Sequence, residues 1–451
     1  MRTDRRGSGF WRVAVAVLAA GAAGCEAIER IPDLFDRGTP RERYEASLER
    51  AGLTGTALVK DWRAAAERAL REAPVVTSPH VEEGYFPPAE PNALAFRVAA
   101  RRGQEIAFEL QLVGDTSTLV FVDAWQAEGD TARTLRPVAE ADSGLRALTF
   151  SPRRDGDFVL RVQPELLSGG RFRITVDIRP TLAFPVRGGR DRDIKSGFGA
   201  PRDGGARSHH GIDIFARRGA LAVAAGEAVV TRVETTARGG NVVWLRDRRG
   251  FSLYYAHLDS QYVEEGAQVF PGDTIGFVGN TGNAITAPPH LHFGIYRRGE
   301  GPVDPYWFVY RPGGTVPRLV ADTVLLGAWA RTPKDGTELH AAPAAKAPAL
   351  LTLPRHTPMR VLSAVGSWYR VRLPDGLTGY LAARLLEPAN RAVRIAELDQ
   401  AQLVLSQPYL PSGPHDVVSE VAPGVPLAVL GRFGGYLFVR TPAGQAGWMA
   451  E

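Results

Sequence analysis

The C-terminal part of the chain repeats itself at a fixed offset of 68 residues. The run from Trp368 to Ala382 aligns with Tyr436 to Ala450, and Val361-Leu362 aligns with Val429-Leu430. Each copy reads as a strand, a Pro-x-Gly turn and a Gly-aromatic-apolar ending. The turns are Pro374-Asp375-Gly376 and Pro442-Ala443-Gly444; the endings are Gly379-Tyr380-Leu381 and Gly447-Trp448-Met449. An offset held across several strand patterns means two copies of one small β module.

Those copies account for only part of 451 residues, so the remainder divides into further domains of ordinary size. An apolar content of 44% with 23% charged residues is that of a folded chain rather than a disordered one. A single cysteine, Cys25, excludes an internal disulfide. Stability must therefore come from packing, alone or with a metal.

The N-terminus has a basic start and then a mostly apolar run, Val13 to Gly24, that is short for a bilayer span and fits a secretory signal over residues 1–24. The run ends Ala22-Ala23-Gly24-Cys25, small residues before a lone cysteine, which resembles a bacterial lipobox. A lipid on Cys25 would tether the exported chain to an envelope membrane by acyl chains. Arg2, Arg5, Arg6 and Arg12 against Asp4 give this segment +3, so its removal takes the formal charge from +5 to +2. With no basic patch interleaved with aromatics, a nucleic-acid partner is not expected.

Residues 25–89 read as a helical segment and linker. Thr39-Pro40-Arg41-Glu42 has capping-box spacing with proline at the first helical position, and a second helix is expected from about Thr56 to Arg71. The five prolines between Pro74 and Pro91 mark the linker. From 90 to 180 the pattern changes to period two, with Ile106, Phe108, Leu110 and Leu112, then Phe158, Leu160 and Val162, then Phe172, Ile174 and Val176. This argues an antiparallel β-sandwich, and it resembles the accessory jelly-roll domains (pre-peptidase C-terminal type) of secreted bacterial peptidases. Residues 181–312 are Gly-rich and β-branched, expected to be all-β.

Five of the nine histidines fall between Arg207 and His292. His290 and His292 are two apart, so on a strand both imidazoles face one way while Leu291 and Phe293 face a core. In an extended segment His209, Gly211 and Asp213 share one face and His210 lies on the other, which makes His210 the expected bystander. Gly211 would allow a close approach between its neighbours. Histidines and an aspartate at these spacings argue a metal site; two imidazoles and a carboxylate leave a tetrahedral zinc with one open position.

Five motifs here, in order, carry a resemblance: Ser196-Gly197-Phe198-Gly199, His209-x-Gly211-x-Asp213, Tyr255-Ala256-His257-Leu258, Gly276-Phe277-Val278-Gly279-Asn280-Thr281-Gly282 and His290-Leu291-His292-Phe293, closed by Asp304-Pro305. Residues of about 192–308 resemble the lysostaphin-type zinc metallopeptidases, peptidoglycan endopeptidases with a duplicated-hybrid-motif β-barrel. The resemblance implies that His209, Asp213 and His292 bind one Zn2+ per chain and that His257 and His290 are the catalytic pair. One of the pair would take the proton of the attacking water. The other would bond the tetrahedral oxyanion or protonate the leaving amine. Ala287-Pro288-Pro289 stands where that family more often has Ser/Thr-Gly-Pro, a departure that bears on the substrate groove. The repeated modules, 320–389 and 390–451, resemble bacterial SH3-like barrels found beside cell-wall hydrolases.

The expected architecture is therefore mainly β and multi-domain: a helical hairpin, a β-sandwich, a barrel-type peptidase domain and two SH3-like barrels. The expected activity is zinc-dependent hydrolysis of stem or cross-link peptides in peptidoglycan, in the cell envelope. One alternative is a catalytically inactive, wall-binding activator of other hydrolases; relatives of that kind lose ligand residues, whereas all five positions are filled here. Another, a passive wall-binding lipoprotein, leaves the histidine arrangement without a purpose.

Overall fold

The structure is a computed structural model that describes residues 38–113, 118–128, 134–142, 146–311, 314–406 and 417–451. The expected signal segment and Cys25 lie outside the described residues. Near the start, Thr39 caps a helix at Pro40–Arg50: its hydroxyl accepts from the Glu42 amide and the Glu42 carboxylate accepts from the Thr39 amide. A second helix, Ala57–Arg71, is capped by Thr56. It presents Val59, Trp62, Ala65 and Ala66 as a buried stripe. Trp62 is 1% exposed; its indole donates to the Pro164 carbonyl at 2.9 Å, and the Gln163 amide donates to the Trp62 carbonyl at 2.8 Å. The helix is thus clamped onto the strand Gly156–Pro164.

Two antiparallel sheets follow. One orders the strands Leu94–Ala100, Gly156–Pro164, Val120–Glu128 and Thr134–Glu140. The other contains Gly170–Pro180, Gln104–Val113 and Ala147–Phe150. The alternating residues Ile106, Phe108, Phe158, Leu160, Phe172 and Ile174 form the core between them.

The segment read as a linker holds an additional strand, His80–Phe86. It pairs with Gly170–Pro180 from His80↔Val176 to Phe86↔Gly170, so the sandwich begins before residue 90. On its other edge it pairs with Pro358–Val365 of the first C-terminal repeat, at Glu83↔Ala364 and Gly84↔Ser363. The strand is hard to see in sequence because a charged residue occupies a buried position. Glu82 is fully buried, accepting from His80 Nε2 at 3.1 Å and from the Ser363 hydroxyl, with the Arg370 guanidinium 3.9 Å away. Its partners lie far along the chain, and flanking prolines suggest a loop.

The C-terminal repeat is also a repeat of strands. Ala349–Leu353, Trp368–Arg372 and Thr378–Ala382 return as Val417–Val421, Tyr436–Arg440 and Ala446–Ala450. Even the register shift recurs, between Val361/Ser363 and again between Val429/Gly431. Each copy docks on what precedes it through equivalent positions. Ser363 and Arg370 meet Glu82 of the sandwich; in the second copy Phe438, related to Arg370 by the repeat, packs on Trp329 of the first at 4.6 Å, and Trp448 lies 5.8 Å from Trp329.

Between these parts, a large sheet orders Ala228–Thr236, Gly240–Asp247, Phe251–Gln261, His290–Arg297, Ile212–Phe215 and Ile194–Ser196. Ile212, Ile214, Tyr255, Leu291 and Phe293 form its buried side. It is joined to the sandwich by Phe308, which fills the space a side chain at Gly103 would need (2.4 Å from a Cβ there), and by the Arg102–Glu300 ion pair. The chain is mostly β, in several sheets.

Candidate metal centre

Antiparallel register sets two of the expected site residues side by side. Asp213 pairs with His292, Phe215 with His290, and Ala256 with His292, so the strands Ile212–Phe215, His290–Arg297 and Phe251–Gln261 present one continuous face. Leu291 and Phe293 point into the core, which turns His290 and His292 to the other side. His209 precedes the first of these strands and is pinned by backbone bonds to and from Gly199 and Ala200. Its Nδ1 donates to the Gly197 carbonyl at 2.8 Å, which leaves Nε2 as the free nitrogen.

His209 Nε2, Asp213 Oδ1 and His292 Nδ1 form a nearly equilateral triangle. The edges are 3.0 Å (His209–Asp213), 2.9 Å (His209–His292) and 3.0 Å (His292–Asp213). With Nδ1 of His209 turned to Gly197, its Nε2 faces a carboxylate oxygen and a second imidazole nitrogen, three donors placed to share one cation. Tetrahedral zinc bonds of about 2.0–2.1 Å imply ligand separations of about 3.3 Å, only a few tenths longer. The donor set therefore fits zinc. Gly211 is required by this packing: a Cβ there would fall 2.5 Å from the Phe293 carbonyl oxygen and 2.8 Å from the His292 ring. His210 is exposed, away from the cluster.

His257 and His290 stand beside the triangle, with ring centroids 5.1 Å apart. His290 Nε2 is 4.0 Å from Asp213 Oδ1, and the His257 ring is 5.9 Å from that of His292. Each is held through Nδ1 by a main-chain carbonyl, His257 by Thr281 and His290 by Pro288, both at 2.9 Å. Carbonyls only accept, so both Nδ1 atoms carry hydrogens and both Nε2 atoms are left for substrate or water. His290 also stacks on Phe215 at 5.1 Å. His257 has φ +61°, a left-handed conformation that costs a non-glycine residue energy and is held here by surrounding bonds.

Burial pushes the His257 imidazole down to about 4, helped by His292 and His290. Burial also lowers His292. Burial would raise Asp213, but the adjoining His209 and His292 rings outweigh it and hold the carboxylate well below its usual range. His257 is thus neutral near pH 7, with Nε2 carrying a lone pair.

Two contributors were not singled out from sequence. Thr281, inside the Gly279–Gly282 motif, holds His257 through its carbonyl, while its hydroxyl accepts from the Asn241 amide at 3.0 Å and donates to the Leu258 carbonyl at 2.7 Å. Arg202, eleven residues before Asp213, reaches that carboxylate from a short hairpin. The motif pointed to Thr281; no periodicity pointed to Arg202.

The cluster joins His209, Asp213 and His292 with the His257–His290 pair beside them, and residues 207–305 match Peptidase family M23. Residues 335–387 match the bacterial SH3 domain. The chain carries a domain of each family. It is 36% identical over 135 residues to an L-Ala–D-Glu endopeptidase of Bacillus subtilis, covering 28% of this chain and 41% of that protein. It is 37% identical over 93 residues to the peptidoglycan DD-endopeptidase ShyC of Vibrio cholerae, covering 21% of each. The chain thus spans less than half the length of these relatives. The catalytic domain of lysostaphin from Staphylococcus simulans is similar at 28% identity, over 26% of this chain and 91% of that domain, with a TM-score of 0.24.

Proposed function

We propose that the protein is a zinc-dependent endopeptidase that cuts amide bonds in the stem or cross-link peptides of peptidoglycan. The observation that carries this reading is the convergence of three donor atoms beside two histidines whose Nε2 atoms are free. In this reading His209, Asp213 and His292 hold one zinc ion. When bound, the ion supplies a Lewis acid that polarises the scissile carbonyl and acidifies water. His257 and His290 do the proton work. One Nε2 takes the proton of the attacking water; the other bonds the developing oxyanion or protonates the leaving amine. Both rings are locked in the required tautomer by the Thr281 and Pro288 carbonyls.

The flanking parts suit a polymeric substrate. The bacterial SH3 module, and the second copy read as another such domain, would hold the wall. A lipid on Cys25 would keep the exported chain at the envelope membrane, and weak binding would be strengthened through effective concentration. The test is digestion of purified peptidoglycan by the zinc-loaded full chain, with products identified by mass spectrometry. New amino termini within stem or bridge peptides are expected; unchanged muropeptides with zinc bound would favour the inactive activator.

A further inference from the structure

Arg202 sits on the short hairpin of Pro201–Arg202 and Arg207–Ser208, whose register pairs Arg202 with Arg207. Its Nη2 donates to Asp213 Oδ2 at 2.5 Å and to the Ser196 hydroxyl at 2.7 Å. Ser196 is the cross-strand neighbour of Asp213 and follows the same strand into Gly197, whose carbonyl fixes His209. One guanidinium thus ties Asp213 to the strand whose following residue, Gly197, fixes His209.

An aspartate offers two oxygens, and rotation about its last bond is soft and roughly two-fold. Here the two oxygens have different partners. Oδ1 faces His209 Nε2 and His292 Nδ1, while Oδ2 is taken by Arg202. We infer that Arg202 is a positioning residue for the metal centre: it fixes Asp213 as a one-oxygen ligand and holds Oδ1 at the apex of the donor triangle. This rests on the zinc reading above and extends it to a residue outside the five expected site positions.

Electrostatics alone and a positioning bond act on zinc affinity in opposite directions. A guanidinium beside a divalent cation repels it, so removing a purely electrostatic neighbour would tighten zinc binding. Removing a positioning bond weakens it, and loss of a partner behind a metal ligand typically costs about 10–100-fold in affinity.

The experiment is zinc affinity by chelator competition on the full chain, for wild type, R202Q and R202K, with far-UV circular dichroism and thermal unfolding of the zinc-free proteins alongside. The expected result for R202Q is about a 10–100-fold higher zinc Kd with an unchanged zinc-free melt. R202K keeps the charge but loses the fork that spans Asp213 and Ser196, so weaker binding is expected there too; it replaces R202Q as the deciding variant if R202Q does not fold. Zinc affinity equal to or tighter than wild type in the folded variant would overturn the positioning role while leaving the zinc centre intact. A wild-type chain that binds no zinc would overturn the centre itself, and this inference with it.

Discussion

Glu82 accepts a hydrogen bond from the hydroxyl of Ser363, a residue 281 positions further along the chain. The bond joins the sandwich to the first C-terminal repeat inside a fully buried polar cluster. Burial would raise the Glu82 carboxyl, but bonds from His80 and Ser363 and the charge of Arg370 outweigh it and hold the group below its ordinary value of 4.5. A carboxylate depressed on folding stabilises the fold at pH values above its unfolded pKa, and that stabilisation is lost as pH falls through the folded value. The structure therefore predicts acid destabilisation of this junction below about pH 4.5. E82Q should flatten that acid limb in denaturant titrations. E82A, which strands Arg370, should cost about 3–5 kcal/mol at pH 7.

Trp62 gives the second prediction. Its ring is covered by Arg41, 4.3 Å from the ring centroid, and lies 5.5 Å from Tyr44 and 6.0 Å from Phe121. Trp62→Ala should cost about 3–5 kcal/mol of the docking of the two N-terminal helices. Limited proteolysis should then cut between residues 39 and 72, with zinc affinity unchanged.

Trp329 anchors the second repeat as Glu82 anchors the first. Trp329→Ala removes the aromatic contacts to Phe438 and Trp448, each of roughly 0.5–1.5 kcal/mol beyond area burial. Hydrogen exchange in Tyr436–Arg440 and Ala446–Ala450 should quicken, while that in Trp368–Arg372 stays as in the wild type.

Gly211 tests the packing of the metal centre. In Gly211→Ala the added methyl meets the Phe293 carbonyl and the His292 ring, so the His209–Asp213 segment must move. A displacement near 1 Å is enough for a loss of kcat/KM on the order of 100-fold. The prediction is such a loss together with weaker zinc binding and a lowered melting temperature of the zinc-free protein.

How much of this was legible follows from where the partners lie. The period-two residues Ile106, Phe108 and Ile174 announced the sandwich because their environment is simply apolar. The 68-residue offset announced two modules because several strands carried it. His290-Leu291-His292 announced one face of the site through strand geometry alone. The strand His80–Phe86 was not legible, because its buried Glu82 makes sense only beside Ser363 and Arg370. Arg202 was invisible for the same reason: its purpose is the outer oxygen of Asp213, reached through a hairpin rather than a spacing. The docking of both repeats through equivalent positions was hidden too, since Arg370 in one copy is Phe438 in the other.

In the proposed function one zinc site and one histidine pair act together on peptidoglycan peptides. The most direct measurement is zinc content and peptidoglycan cleavage, side by side, in wild type, H290A and H292A. Wild type should hold about one zinc per chain, as a single three-ligand site would, and release new peptide amino termini. H290A should keep its zinc and lose about 100- to 10,000-fold in cleavage. H292A should lose both. Undiminished cleavage by zinc-loaded H290A, or by zinc-free H292A, would contradict the account.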